Sequence, residues 1–171
     1  VEAWDSSHVV ARDSSRVEAR DSSRVVASKY VAVHLHSARA DITGGVLIDL
    51  TKIDLNDATQ WLEFHGVHVE NGVAYVYKAV NDEWTTDRGV DYSPGSTPGA
   101  PDWKPTLECG NGLHFGATPL CSREYFREAT KYVRVGVAAE TLVPLGDKCK
   151  APKVVVAAVE VDMYGHEVQP S

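Results

Sequence analysis

At 171 residues, with 24 acidic side chains against 17 lysines and arginines, the chain carries a formal charge of −7 and suits one domain, or one small domain with an appendage. The first thirty residues hold five acids and five bases, so the negative charge belongs to the remainder. An acidic body repels phosphate backbones, which argues against general nucleic-acid binding, and no run approaches the roughly eighteen apolar residues of a membrane helix.

The chain begins with a repeated eight-residue phrase: Val1-Glu-Ala-Trp-Asp-Ser-Ser-His8, Val9-Val-Ala-Arg-Asp-Ser-Ser-Arg16, Val17-Glu-Ala-Arg-Asp-Ser-Ser-Arg24, then a decaying copy from Val25. In an extended chain alternate residues share a face, so the leading Val and the third-place Ala line one side. Asp-Ser-Ser is turn chemistry, because these side chains bond nearby backbone amides. Each octad is therefore a short strand plus a corner, with the even places, including Trp4 and His8, toward solvent. A unit this small cannot bury its own valine, so it stacks on copies about 4.8 Å away as a β-solenoid. Two octads per coil give about two coils, fewer than the roughly three repeats stability needs, so further octads upstream or other chains are expected to supply neighbours. Met163 is the only methionine, which fits a chain that opens inside its repeat. Octads without glycine do not match calcium-binding rolls, and serine rows flanked by Asp and Arg do not make a flat ice-binding lattice.

Beyond the octads the pattern becomes ordinary β. Val31-Ala-Val33-His-Leu35 alternates, Gly44-Gly45 marks a turn, and residues 46–50 read as a buried strand; His34 and His36 share a polar outer face. Asn56 is placed to cap a helix over 57–65, with Ala58, Trp61, Leu62 and His65 on one stripe and Gly66 as its stop. Residues 67–69 and 73–80 flank Asn71-Gly72, the strongest short hairpin signal. A Pro- and Gly-rich loop spans 81–112, and Trp84, Tyr92 and Trp103 are expected to pack it down. Leu113-His-Phe115 reads as a strand, and Thr118-Pro119 starts a helix running to about Thr130 with Ser122, Tyr125, Phe126 and Ala129 buried. Strands at 132–137 and 154–161 follow, joined by a surface connection through 140–148, and the chain ends in a turn or tail. The expected fold is mainly β with some α: a β-solenoid over residues 1–33, then a compact α+β domain over 34–171.

Candidate chemistry is sparse. Cys109, Cys121 and Cys149 are too few for a disulfide scaffold and are expected as reduced buried thiols, with one disulfide plus a free thiol as the alternative. With His114 they supply the donors of a Cys3His zinc site, but the spacing is irregular and no Cys-x-x-Cys occurs, so no metal is expected. No phosphate loop, dinucleotide glycine fingerprint or Gly-x-Ser-x-Gly elbow is present.

Three resemblances add expectations. The valine-led octads resemble the repeats of phage tail needles and secretion-system spikes, which implies self-association as a trimer or a longer solenoid. Those repeats favour glycine where this chain has Ala3, Ala11, Ala19 and Ala27. Tyr77-Lys-Ala-Val80, Arg88-Gly89 with Tyr92 and Pro94-Gly95, Cys109-Gly110, Gly112-Leu-His-Phe115 and Val159-Glu-Val-Asp162 resemble a domain without an established activity that recurs in actinobacteria and their phages, over about residues 46–165. Lys78, the 112–115 strand and Glu160 occur in an order similar to ADP-ribosyltransferases. That likeness implies an NAD-using enzyme in which cationic groups hold phosphates and a carboxylate stabilises positive charge on the ribose. The favoured expectation is a structural or interaction protein, a solenoid stalk capped by a globular domain and set in a phage particle or surface appendage, without a cofactor. The alternatives are the transferase, with Lys78, His114 and Glu160 facing one cleft, and a carbohydrate- or surface-binding module using Trp84, Arg88, Tyr92 and Trp103.

Overall fold

A computed structural model describes residues 1–169, which divide into two compact units at Asp54/Leu55. The first is the solenoid. Strands β1 (Glu2–Ala3), β2 (His8–Ala11), β3 (Arg16–Ala19), β4 (Arg24–Leu35) and β5 (Asp41–Asp49) pair in parallel throughout. Glu2 faces Glu18, Val9 faces Val25 and Val17 faces Val33, so partners lie sixteen positions apart and each coil consumes two octads. One chain supplies the successive rungs. The dry interior holds Ala3, Ala11, Val17, Ala19, Val25, Ala27, Val31 and Val33, and each fully buried valine contributes about 2 kcal/mol of transfer free energy.

The corners form where Asp-Ser-Ser stands. Asp5, Asp13 and Asp21 all take positive φ (54°, 59° and 51°), a conformation Asp tolerates better than most residues. Ser7 N–H closes one corner on the Trp4 carbonyl at 3.0 Å, and Ser23 N–H closes another on the Arg20 carbonyl at 3.1 Å. In the fourth octad Lys29-Tyr30-Val31 replaces the triplet, and β4 continues through these residues as one strand. Parallel pairing then carries the solenoid past residue 33, where the octads alone placed the boundary, as far as Asp49.

Two expectations for this stretch are corrected. Gly44 and Gly45 do not separate strands; they lie inside β5 at φ 79° and 76°, where the register against β4 slips. A Cβ on Gly44 would meet the Ala27 carbonyl oxygen at 2.3 Å, so the close approach requires glycine. The 46–50 segment is not a buried strand, because among the described residues β5 pairs only with β4 and leaves Val46 and Leu47 more than half exposed.

The second unit opens with helix α1 (Ala58–Phe64), which buries Trp61 and Leu62. Its cap is Asp57 rather than Asn56: the Asp57 carboxylate accepts from Gln60 N–H at 2.9 Å. The Asn-Gly hairpin joins β6 (Val69–Glu70) to β7 (Val73–Val80) with Asn71 and Gly72 both at positive φ, as that turn demands. After the long loop come β8 (Leu113–Gly116) and α2 (Pro119–Arg123), capped by Thr118. This helix is one short turn and does not reach Thr130. Beyond it Tyr125 is half exposed, whereas Ser122 and Ala129 are buried as expected. The chain continues through β9 (Lys131–Ala138), a 3-10 turn (Ala139–Thr141), β10 (Val143–Leu145), β11 (Lys148–Ala151) and β12 (Val156–Val161).

These strands form one antiparallel sheet in the order β10-β11-β8-β7-β9-β12, with β6 paired to β7. The surface connection expected at 140–148 is instead the β10–β11 hairpin, turning at Gly146 with φ 73°. Trp61, Val76, Val80, Phe115, Val133, Val135 and Cys149 form the centre of the core, and the Trp61 indole N–H donates to the Gly146 carbonyl at 2.7 Å. The fold is mainly β with some α, a β-solenoid followed by a sheet-based domain.

Candidate functional site

Register brings the chemistry together. Tyr77 of β7, Gly116 of β8 and Lys148 of β11 are cross-strand partners, so residues adjoining them on three strands surround one point of the sheet. Gly116 lets α2 sit directly on β8, since a Cβ there would come within 2.5 Å of the Ser122 amide nitrogen. Between these elements and the 86–92 stretch lies a solvent-open cavity of about 180 Å³. Its walls carry the charges of Lys78, Arg88, Lys148 and Asp87, the polar groups of His114, Tyr125 and Cys109, and the rings of Tyr92 and Phe115.

Lys78 lies among core valines on β7 and points its ammonium at the His114 carbonyl, donating at 2.8 Å. Burial, with Lys148 and Arg88 adding repulsion and Asp87 opposing, lowers its pKa to about 8. The Nζ also stands 5.9 Å from the Tyr92 ring centroid. Tyr92 packs edge-on against Phe115 at 6.1 Å, and burial pushes its phenol upward, so it stays protonated.

His114 turns its imidazole toward the loop, where Nε2 accepts from Gly110 N–H at 3.3 Å. Burial lowers its pKa to about 4, and Lys148, Lys78 and Lys150 add to the effect against a hydrogen bond with Gly110. At neutral pH it is an uncharged acceptor. Lys150 is fully buried and pins the same loop, donating to the carbonyls of Glu108 at 2.8 Å and Gly110 at 3.1 Å. The loop so held sets Cys109 beside Lys148, with Nζ 3.5 Å from Sγ. Lys148 also lies 4.1 Å over the Tyr125 ring, whose hydroxyl donates a short hydrogen bond to Asp147.

Lys78, Arg88, Tyr92, Cys109 and His114, singled out in the sequence on separate grounds, line one cavity. Glu160 does not line it; it sits on β12 opposite Val133, which in turn pairs with Lys78, so two strand spacings separate the carboxylate from the amine. Trp84 and Trp103 also lie outside the lining and make structural contacts, Trp84 under Lys131 Nζ at 4.1 Å and Trp103 within 5.7 Å of Lys150 Nζ. All three cysteines are free: Cys149 is buried on β11 and Cys121 is partly buried on α2, whereas Cys109 is exposed rather than buried, and no group of three or more metal-ligating side chains occurs among the described residues.

Lys148, Asp87 and Tyr125 are the members that sequence reasoning missed. The signal for Lys148 was present: Leu145-Gly-Asp-Lys148 between alternating segments is hairpin chemistry. Among the described residues none of Lys78, Arg88 and Lys148 is in an ion pair. Three cations and one carboxylate around a small cavity leave an excess of positive potential within an acidic protein.

The architecture is that of a β-solenoid followed by a separate sheet domain, and the cavity lies wholly within the latter. That sheet domain belongs to the family described as a domain of unknown function (DUF7666), whose family model matches residues 74–166, just over half of the chain, and takes in every residue lining the cavity. No curated protein and no solved structure matches the chain.

Proposed function

We propose that the protein is a structural and interaction protein in which an octad solenoid accompanies a binding module for a small anionic ligand. The observation that carries the ligand class is the convergence of Lys78, Arg88 and Lys148, none of them ion-paired among the described residues, on one cavity. Charge-assisted hydrogen bonds from such groups are stronger than neutral ones and favour phosphate or carboxylate. With Asp87 offsetting one charge, the excess matches a phosphate monoester dianion. A cavity of about 180 Å³ suits a small molecule or one end of a larger one. The aromatic rings of Tyr92, Phe115 and Tyr125 offer contact to a non-polar portion.

The setting in a phage particle or surface appendage is part of this proposal and rests on the resemblance of the octads. The transferase reading draws less support, because Glu160 lies outside the cavity. Isothermal titration with inorganic phosphate tests the ligand class. Measurable one-site binding that Arg88→Gln/Lys148→Gln abolishes is expected, and equal heats from both proteins would remove the basis for an anion site.

A further inference from the structure

Lys78 is used in the fold less than its position suggests. A lysine on the core side of a strand, between Val76 and Val80 and opposite Val133, pays a desolvation cost that a methionine would avoid. Its ammonium makes one hydrogen bond, to the His114 carbonyl, and no ion pair among the described residues, yet it borders the cavity rather than being sealed behind it. A lysine desolvated beside other cations is the arrangement that activates an amine toward carbonyl compounds, since both effects favour the uncharged nucleophile. Arg88 and Lys148 share the cavity and are free to hold an anionic group of the same molecule.

From this geometry we infer that Lys78 forms a reversible imine with a phosphate-bearing aldehyde held in the cavity by Arg88 and Lys148. The inference rests on the anion-binding reading and extends it. The Lys78 nitrogen lone pair attacks the aldehyde carbon, forming a C–N bond while the carbonyl π pair moves to oxygen. A proton passes from nitrogen to that oxygen, giving a carbinolamine. Loss of the hydroxyl with one further proton releases water and leaves the C=N bond. No oxidant or reductant is consumed. The lowered pKa of Lys78 supports the first step by leaving a useful share of free amine near neutral pH, and neutral His114 adds no competing charge.

The test uses the full chain and two probes, pyridoxal 5′-phosphate and unphosphorylated pyridoxal. Each is incubated near pH 7.5 and trapped with borohydride, which delivers hydride to the imine carbon and fixes a secondary amine for peptide mapping. Labelling of Lys78 at least about tenfold faster than of any exposed lysine is expected with the phosphorylated probe, from its larger free-amine fraction. That preference should fall with pyridoxal, with inorganic phosphate as competitor and in Arg88→Gln/Lys148→Gln. Lys78→Arg keeps the cation, should remain folded and should lose the label. Labelling spread over surface lysines in proportion to exposure, or equal rates with both probes, overturns the imine. If phosphate binds by calorimetry while Lys78 stays unlabelled, the imine fails and the anion site stands; if neither is seen, both fail.

Discussion

Lys78 and His114 meet through the peptide backbone: the Lys78 ammonium donates to the His114 carbonyl at 2.8 Å while the His114 ring turns away to accept from Gly110 N–H. The first contact ties β7 to β8 and fixes the Lys78 side chain at the cavity wall, while the second holds the His114 ring there. One residue presents a buried cation there and the other an uncharged ring, and its own burial is the largest cause of the lowered pKa of each.

The first consequence is a pH dependence with a definite sign. His114 has a folded pKa of about 4, below its ordinary value of 6.5, because burial and three lysines disfavour the imidazolium. Between those values the unfolded chain binds more protons than the folded one, so stability falls as pH drops from 6.5 toward 4 and is unaffected by this group above 6.5. The difference in urea midpoint between the wild type and His114→Gln should be constant above pH 6.5 and should move against the wild type as pH falls from 6.5 toward 4, and the His114 ring resonances should not titrate above about pH 5. A His114 titration near 6.5 would show that the ring is not enclosed as described.

A second prediction concerns what Lys78 costs the fold. Lys78→Met keeps the length and apolar stem of the side chain and removes a desolvated charge, so the variant should be more stable by about 1 kcal/mol at pH 7 while losing phosphate affinity. Thermal unfolding together with calorimetry reads both effects. A variant that loses stability would mean that the hydrogen bond to His114 outweighs the desolvation of the ammonium.

Gly116 supplies a third. An alanine Cβ would stand 2.5 Å from Ser122 N and 3.0 Å from the Cys121 carbonyl carbon, both backbone atoms, so α2 must move. Gly116→Ala is expected to destabilise the domain by about 2 kcal/mol and to displace Ser122 and Tyr125 from the cavity. Thermal unfolding and tyrosine resonances report the two effects separately; an unchanged melting temperature would mean that α2 does not rest on β8 as closely as described.

In the solenoid, Val17 and Val25 are completely buried within the stacked rungs. Val17→Ala should cost about 2 kcal/mol, whereas the same change at exposed Val10 should cost less than about 0.5 kcal/mol. Amide exchange across 16–35 distinguishes the two variants locally, and equal effects would argue against an interior ordered by the octads.

The solenoid was legible because its order is local and periodic: valine, alanine and Asp-Ser-Ser recur at fixed places, and each place has one physical role. The signal failed where the period decayed. Gly44-Gly45 resembles a turn in sequence but serves as a close-packed bend within β5, a contact with Ala27 that no local pattern encodes. The Asn71-Gly72 hairpin and the Thr118 cap were legible for the same local reasons. The helix expected as far as Thr130 stops at Arg123; the chain goes on in tighter turns, Tyr125 N–H to the Ser122 carbonyl and Phe126 N–H to the Arg123 carbonyl, and Tyr125 bonds Asp147, a distant partner on the β10–β11 turn. Lys78, Arg88 and His114 were recognisable as chemistry-bearing residues, but their meeting depends on long-range register between β7, β8 and β11. Glu160 followed in the expected chain order, yet β9 stands between it and β7.

The most direct measurement is a backbone and side-chain chemical-shift map of the isotope-labelled full chain titrated with a phosphate monoester such as phenyl phosphate. Saturable shifts centred on Lys78, Arg88, His114, Tyr125 and Lys148, absent in Arg88→Gln/Lys148→Gln, are the expected result. Shifts scattered over exposed lysines and arginines, or confined to the arginines of the octads, would contradict an anion site in the sheet domain.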